Sequence, residues 1–185
     1  MTFRFDDICI NTDMELVQKM TDYLFEKFNC KIIYGISPLV SKMDTGDRLK
    51  NQRIFPEILN AMSDHRYFFK VDKCGVPKTD PRVILAGHGI VHVDHRLLSY
   101  EAQELSIITS CSLAKALIFI PPFNKWNKDT EDICREQGIE LIRFENGWRS
   151  MEYNEWTPSA KPMNQLWYLH SREWTFEKFT AWFQK

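Results

Sequence analysis

The sequence lacks the features that would point to a membrane or a nucleic acid. No apolar run approaches the ~18–20 residues that span a bilayer, and the first ten residues, MTFRFDDICI, carry charges where a signal peptide is apolar. Lys+Arg (24) nearly balances Asp+Glu (25), so no broad basic field exists to hold a phosphate backbone. We therefore predict no membrane span and no nucleic-acid partner.

Paired cysteines are also missing. The five cysteines are odd in number and scattered, without the spacing of a zinc ribbon or a redox pair. We interpret each as a small buried hydrophobic residue, which fits a reducing compartment and predicts a cytoplasmic protein. The five are Cys9, Cys30, Cys74, Cys111 and Cys134.

Hydrophobic residues are plentiful enough for one well-filled core. They make up 44% of the 185 residues, and charged residues make up 26%. This length is slightly above the commonest domain size of roughly 100–150 residues, and no repeat, low-complexity stretch or linker divides the chain. We predict a single domain over residues 1–185.

Short apolar runs alternate with helical periodicity along the chain, a pattern typical of βα units around a mainly parallel sheet. The predicted strands are residues 2–5, 31–36, 82–86, 117–120, 139–144 and 166–170. The predicted helices are residues 13–28, about 56–62, 99–114, 129–137 and 175 to the end. The fold class is therefore α/β.

The densest chemical signal is a histidine cluster that follows the third predicted strand. Three of the five histidines, His88, His92 and His95, fall within eight residues. Two imidazoles four residues apart can converge on one cation if the segment turns helically. The alternative is that one of them caps a helix or packs in the core. We favour a metal held by His88 and His92, and we expect His95 to face solvent or a nearby carboxylate.

Two adjacent carboxylates, Asp6 and Asp7, end the first strand, where α/β sheets and barrels place their ligands. One of them is suited to coordinate a cation while the other acts as a base. As an alternative, both are solvated turn residues.

Two further segments supply candidate residues at strand ends. His170 closes the last strand, where an imidazole can protonate a leaving group. The double proline after residue 120 stiffens a loop whose aromatic side chains suit stacking on a sugar, although Trp126 equally suits covering the core. The predicted substrate-binding residues are Phe123, Asn124, Lys125 and Trp126.

In this order, the segments resemble the NodB-type polysaccharide deacetylases, also called carbohydrate esterase family four. The Phe-Asp-Asp motif of that family resembles Phe5-Asp6-Asp7, and its His-x-x-x-His motif resembles His88 to His92. Its Arg-Pro-Pro-Tyr segment resembles Ile120–Phe123, and its final Leu-x-His region resembles Leu166–His170. The resemblance spans nearly the whole chain and implies a distorted (β/α) barrel, trimmed here to about six or seven mainly parallel strands.

The resemblance also implies a role for each residue. Asp6 would be the general base, Asp7, His88 and His92 the ligands of a divalent metal, most simply zinc, and His170 the general acid. The implied activity is metal-dependent hydrolysis of an N- or O-acyl group, chiefly acetyl, on a sugar or polysaccharide precursor.

Several positions depart from the family pattern. Ile8 stands where Gly is usual, Gly89 replaces Ser or Thr, and Leu169 directly precedes the final histidine. Ile120 stands where the family has an arginine that orients the base, and Lys125 or another basic side chain would have to replace it. Two alternatives follow: the same site acting on a small amidated sugar or nucleotide sugar, or a non-catalytic carbohydrate-binding or scaffold relative.

Overall fold

The computed structural model describes residues 1–9, 12–38, 80–90, 92–144, 147–151 and 166–184. Within these ranges, seven parallel strands form one curled sheet, a half-barrel, with four α-helices. The strands are β1 Thr2–Ile8, β2 Lys31–Ile36, β3 Val83–Gly87, β4 Ile118–Phe119, β5 Glu140–Leu141, β6 Trp148–Ser150 and β7 Leu166–His170. The helices are α1 Met14–Phe28, α2 Tyr100–Ala114, α3 Lys128–Glu136 and α4 Phe176–Trp182. The predicted trimmed (β/α) barrel is confirmed.

The strand order is β5-β4-β3-β2-β1-β7-β6, so β1 lies in the interior of the sheet. It pairs in parallel with β2 on one side and with β7 on the other. Because all the pairs are parallel, the carboxyl ends of these strands share one edge. Asp6 is paired directly with His170 across β1 and β7 at that edge.

The two faces of β1 have different partners because side chains alternate along a strand. Phe3 and Phe5 face the main core between the sheet and the helices, where α1 supplies Val17, Met20 and Leu24. Arg4 and Asp6 alternate with these phenylalanines and are equally buried. Arg4 lies against Trp148 and Tyr168, which belong to a second apolar cluster on the inner face of the curled sheet.

Side-chain caps begin the helices close to the predicted residues. Asp13 accepts from the backbone N–H of Leu16 at the start of α1, and Ser99 caps α2 in the same way. Asn127 begins α3 with a capping box shared with Thr130. Among the described helices, none is long and apolar enough to cross a lipid bilayer.

The short strands are where the predicted elements are wrong. The strand predicted over 139–144 is reduced to Glu140–Leu141, because it pairs with β4 at two positions only. The pattern also misses β6, whose three residues are too few to show an alternation. The predicted helix at about 56–62 and the loop around it lie outside the described residues, as does Cys74. Three of the cysteines, Cys30, Cys111 and Cys134, are buried thiols, as expected, whereas Cys9 is only partly buried.

Gly87, the last residue of β3, allows α2 to pack closely on the sheet. A Cβ atom there would lie 2.7 Å from Sγ of Cys111 and 2.8 Å from its backbone nitrogen. We expect Gly87→Ala to lower the free energy of unfolding by about 3 kcal/mol, the upper end of the usual cost of overpacking. Urea unfolding measures this loss.

Gly138→Ala is the matched control for that substitution. Its Cβ would meet no atom within 4 Å, but its φ is +65°. The expected cost is therefore only the roughly 1 kcal/mol of a left-handed conformation. Equal losses for the two variants would contradict the packing explanation.

Candidate metal centre

The end of β1 is distorted at Asp7. Its φ is 60°, and the register with β2 shifts between Phe5 and Ile8. In a regular strand, Asp6 and Asp7 would point to opposite faces of the sheet. The left-handed residue at position 7 brings both carboxylates to the same edge.

Asp7 meets two histidines there. Its Oδ1 atom lies 3.1 Å from Nε2 of His88 and 3.0 Å from Nε2 of His92. The three potential ligand atoms all lie within 4.8 Å of one another. Ligands about 2.0–2.2 Å from a tetrahedral zinc ion are roughly 3.3–3.6 Å apart, so little movement of these atoms would be needed to bind one.

The hydrogen bond between His88 and the backbone carbonyl of Ile120 prepares the histidine to bind a metal. Nδ1 of His88 lies 2.7 Å from the carbonyl oxygen of Ile120, which can only accept, so Nδ1 carries a proton. In the neutral ring, Nε2 then presents a lone pair to Asp7 Oδ1, itself an acceptor. Because two acceptors repel each other, a second proton or a cation must lie between Nε2 of His88 and Oδ1 of Asp7. A backbone carbonyl holding the far nitrogen is the usual support of a metal-bound histidine.

The electrostatics of Asp7 favour its charged form. Burial raises the pKa of Asp7. Hydrogen bonds and charge interactions with His88 and His92 lower it by a larger amount, so the pKa lies well below its usual range. The second oxygen, Oδ2, lies 3.7 Å from Nε2 of His170 and 3.1 Å from Nη2 of Arg172. The Arg172 contact is an ion pair without hydrogen-bond geometry. Asp7 is thus an ionised carboxylate surrounded by cationic or potentially cationic groups.

Asp6 lies beside this site without joining the ligand cluster. It is 2% exposed, and its Oδ2 accepts from Nη2 of Arg4 at 2.8 Å. Its Oδ1 has no hydrogen-bond partner among the described residues. An ideal Cβ on Gly35 would lie 3.3 Å from that oxygen and 3.5 Å from Cβ of His88. Gly35 therefore packs closely against Asp6 Oδ1, where even a Cβ atom would be crowded.

The double-proline loop contacts the site at one edge. Phe123 is exposed and its ring lies 4.2 Å, centroid to centroid, from that of His92. Asn124 directs its side-chain oxygen to Nη2 of Arg4, at 2.6 Å. Both residues have left-handed backbone, with φ of 57° and 54°. The loop therefore presents an aromatic face beside one potential metal ligand.

The other two candidates in this segment have polar partners outside the ligand cluster. Lys125 pairs with Asp94 at 3.7 Å, so it does not replace the arginine expected to orient Asp6. Trp126 donates through its indole nitrogen to Glu131 in the following helix, at 3.3 Å. Neither contact links these side chains to Asp7 or the histidines.

The expectation that His95 faces solvent or a nearby carboxylate is wrong. The residue is completely buried, its Nδ1 lies 3.1 Å from the carbonyl oxygen of Val93, and its Nε2 lies 3.1 Å from Oγ of Ser106. Ser106 also accepts from the backbone N–H of Ile90. A neutral His95 satisfies this network by donating from Nδ1 and accepting at Nε2. It ties the histidine loop to α2, which is the structural alternative raised for one of the three histidines.

This burial predicts an acid-sensitive fold. Desolvation lowers the pKa of His95 from its ordinary 6.5 to about 4. The unfolded chain therefore binds this proton first, and stability present above pH 6.5 is lost as the pH falls toward 4. At about 1.4 kcal/mol per pH unit, the full loss is about 3 kcal/mol. Urea unfolding of wild type and His95→Gln at pH 7.5 and 4.5 checks this, because only the wild type loses this contribution. Equal acid losses in both would contradict it.

Sequence reasoning missed two arginines. Arg4 and Asp6 are two residues apart in a strand and therefore share a face, a signal that the sequence did contain. Arg172 follows His170 by two residues, but the contact with Asp7 depends on the short 3₁₀ turn after β7. No local pattern indicates that contact.

Comparison with known proteins shows which fold the chain has. No protein-family model and no curated protein sequence matches the chain. Among solved structures, a family 4 carbohydrate esterase from Streptomyces lividans is similar over 98% of this chain and 83% of that one, with a TM-score of 0.56 and 13% identity. The peptidoglycan deacetylase PdaC from Bacillus subtilis is similar over 99% and 79%, with a TM-score of 0.54 and 12% identity.

A mutant of a family 4 pseudoenzyme from Bacillus anthracis is similar over 98% of this chain and 59% of that one, with a TM-score of 0.53 and 10% identity. At these identities the likeness defines the fold alone. The chain has the NodB-type fold of family 4 carbohydrate esterases, and the resemblance predicted from its motifs is confirmed at that level.

Proposed function

We propose that this protein is a metal-dependent hydrolase that removes an acyl group, chiefly acetyl, from an amino or hydroxyl group of a sugar. The observation that carries the proposal is the convergence of Asp7, His88 and His92 at the carboxyl edge of the sheet. The carbonyl of Ile120 supports it by directing the lone pair of His88 toward the same point.

The neighbouring residues supply the acid and base that such a reaction needs. A divalent cation held by these ligands, zinc being the simplest choice, would activate water near neutral pH and polarise the acyl carbonyl. Asp6 accepts the proton of the attacking water through its unpaired Oδ1. His170, paired with Asp6 across the strands, donates a proton to the departing amine or alkoxide.

The exposed ring of Phe123 supports a carbohydrate substrate, since an aromatic face beside the ligands suits stacking on a pyranose. The similar structures include a carbohydrate esterase and a peptidoglycan deacetylase. We place the protein in the cytoplasm, where a small acylated sugar or a nucleotide sugar is the simpler substrate.

Two measurements test the function. Elemental analysis of the purified protein should find about one divalent ion per chain, as one set of three ligands requires. Acetate release from N-acetylated amino sugars and acetylated oligosaccharides should depend on that ion and stop with chelator. Protein that holds one zinc per chain but releases no acetate from these compounds would contradict the hydrolase.

A non-catalytic carbohydrate-binding protein is the second candidate. The ion pair of Arg172 with Asp7 favours it, because a guanidinium beside a ligand carboxylate weakens the attraction for a divalent cation. The similar pseudoenzyme shows that this fold also occurs without activity. In that case, sugar binding would persist in protein that holds no metal.

A further inference from the structure

Arg4 is the largest fully buried side chain of the described core, and its surroundings are unusual for a charge. It lies in β1 with its guanidinium carbon 5.0 Å from the ring centre of Trp148 and 4.8 Å from that of Tyr168. The two rings hold the guanidinium by cation–π contacts. Burying an arginine costs free energy unless an opposite charge and hydrogen bonds compensate it, so Arg4 requires polar partners at its guanidinium.

One nitrogen of Arg4 makes both of its hydrogen bonds to described residues. Nη2 donates to Oδ2 of Asp6 at 2.8 Å and to the side-chain oxygen of Asn124 at 2.6 Å. Two hydrogens on one nitrogen fix two directions, so the carboxylate of Asp6 and the double-proline loop are tied to a single point. Asn124 is thereby engaged in holding Arg4 rather than directed at a substrate.

The consequence for Asp6 is a fixed choice between its two oxygens. Oδ2 is occupied by Arg4, whereas Oδ1 has no hydrogen-bond partner among the described residues and lies on the side of Gly35 and His88. A carboxylate free to rotate would present either oxygen.

We infer that Arg4 is a positioning residue, clamped between Trp148 and Tyr168, that orients Asp6 so that Oδ1 acts as the base. This inference rests on the proposed function. It places the orienting cation on β1, two residues before the base, whereas the resemblance led us to expect it at Ile120.

Ile120 offers a direct test by relocation. The Cδ1 atom of Ile120 and Oδ1 of Asp6 lie 3.2 and 3.3 Å from the same ideal Cβ position on Gly35. An arginine at position 120 would therefore be introduced next to Asp6, and replacing Arg4 by methionine would free volume for it.

The experiment compares wild type, Arg4→Met, Arg4→Met with Ile120→Arg, and Arg82→Met. Arg82 is the control, because it also stacks on a ring, Phe25 at 3.7 Å, and pairs with Asp80 at 2.6 Å, but before β3 rather than at the site. We expect Arg4→Met to lower kcat on the order of 10²-fold, as a misplaced catalytic group does, with KM and zinc content unchanged. Adding Ile120→Arg to Arg4→Met should raise kcat again by at least about tenfold, and Arg82→Met should keep wild-type kcat.

A structural role for Arg4 gives a different result: zinc content falls, while kcat per bound zinc stays constant. That outcome would overturn the inference. If Arg4→Met does not fold, Arg4→Lys replaces it and should still lower kcat, since an ammonium lacks the planar fork that two rings can hold.

Crystal structures of wild type and the Arg4 variant separate this inference from the proposed function. Even if the wild type hydrolyses nothing, losing Arg4 should rotate the carboxylate of Asp6 away from its wild-type orientation. An unchanged carboxylate would overturn the positioning role, whether or not the protein is a hydrolase.

Discussion

Replacing Asp6 by asparagine is expected to reduce hydrolysis of an acylated sugar by at least about 10²–10⁴-fold, the usual contribution of a positioned base. The new amide keeps the shape of the carboxylate, and its oxygen can still accept from Nη2 of Arg4. Its NH₂ group then occupies the place of Oδ1, so the proton acceptor is lost where the attacking water would stand. Steady-state kinetics on a zinc-loaded sample measures the effect.

Metal content and a second carboxylate provide the controls for this prediction. Zinc should stay at the wild-type level, because Asp6 lies beside the ligand cluster and is not part of it. Asp94→Asn should keep full activity, since Asp94 pairs with Arg96 and Lys125 outside the ligand cluster and asparagine still caps the short turn there. Loss of zinc in Asp6→Asn would show that Asp6 itself coordinates the metal, which would remove it as the base.

Replacing His92 by asparagine is expected to abolish metal binding under conditions where the wild type is saturated. His92 supplies one of three ligands from a partly exposed loop position, so its loss should leave the fold intact. The measurements are zinc content after dialysis and the shift of melting temperature on adding chelator. At a free zinc concentration of 100 times Kd, binding stabilises the wild type by about 2.7 kcal/mol, or roughly 5–10 °C. The variant should show no such shift.

His95→Gln is the matched control, because His95 lies three residues further along and both of its ring nitrogens are engaged with Val93 and Ser106. It should bind zinc normally in spite of any loss of stability. The reverse pattern, with zinc retained by His92→Asn and lost from His95→Gln, would move the site to the other histidine.

Paired strands position most of the residues of the site, although several segments of the chain contribute to it. Asp6, Asp7 and His170 end paired strands, and His88 directly follows β3. His88 is also held at both ends, since its backbone N–H donates to Ile36 and its Nδ1 contacts Ile120. Rigid strands therefore position Asp6, Asp7, His88 and His170, whereas His92 and Phe123 depend on loops.

Local patterns in the sequence were sufficient for most of the larger elements. The second and last strands were predicted at their observed bounds, Lys31–Ile36 and Leu166–His170. The helices capped by Asp13 and Ser99 begin within one residue of their predicted starts. These features depend on alternation, helical periodicity and capping chemistry, all of which act over a few neighbouring residues. Strands of two or three residues are too short to show an alternation. The prediction therefore made β5 too long and did not include β6.

By itself, the sequence determined which residue types stand at the strand ends, and this was enough to predict the α/β fold and the set Asp7, His88 and His92. Tertiary structure alone decided how those residues are supported. The positive φ at Asp7, the Ile120 carbonyl on His88, the burial of His95 and the clamp around Arg4 all join segments far apart in the chain. Such contacts leave no local periodicity, because packing between distant strands and loops sets them rather than the preferences of neighbouring residues.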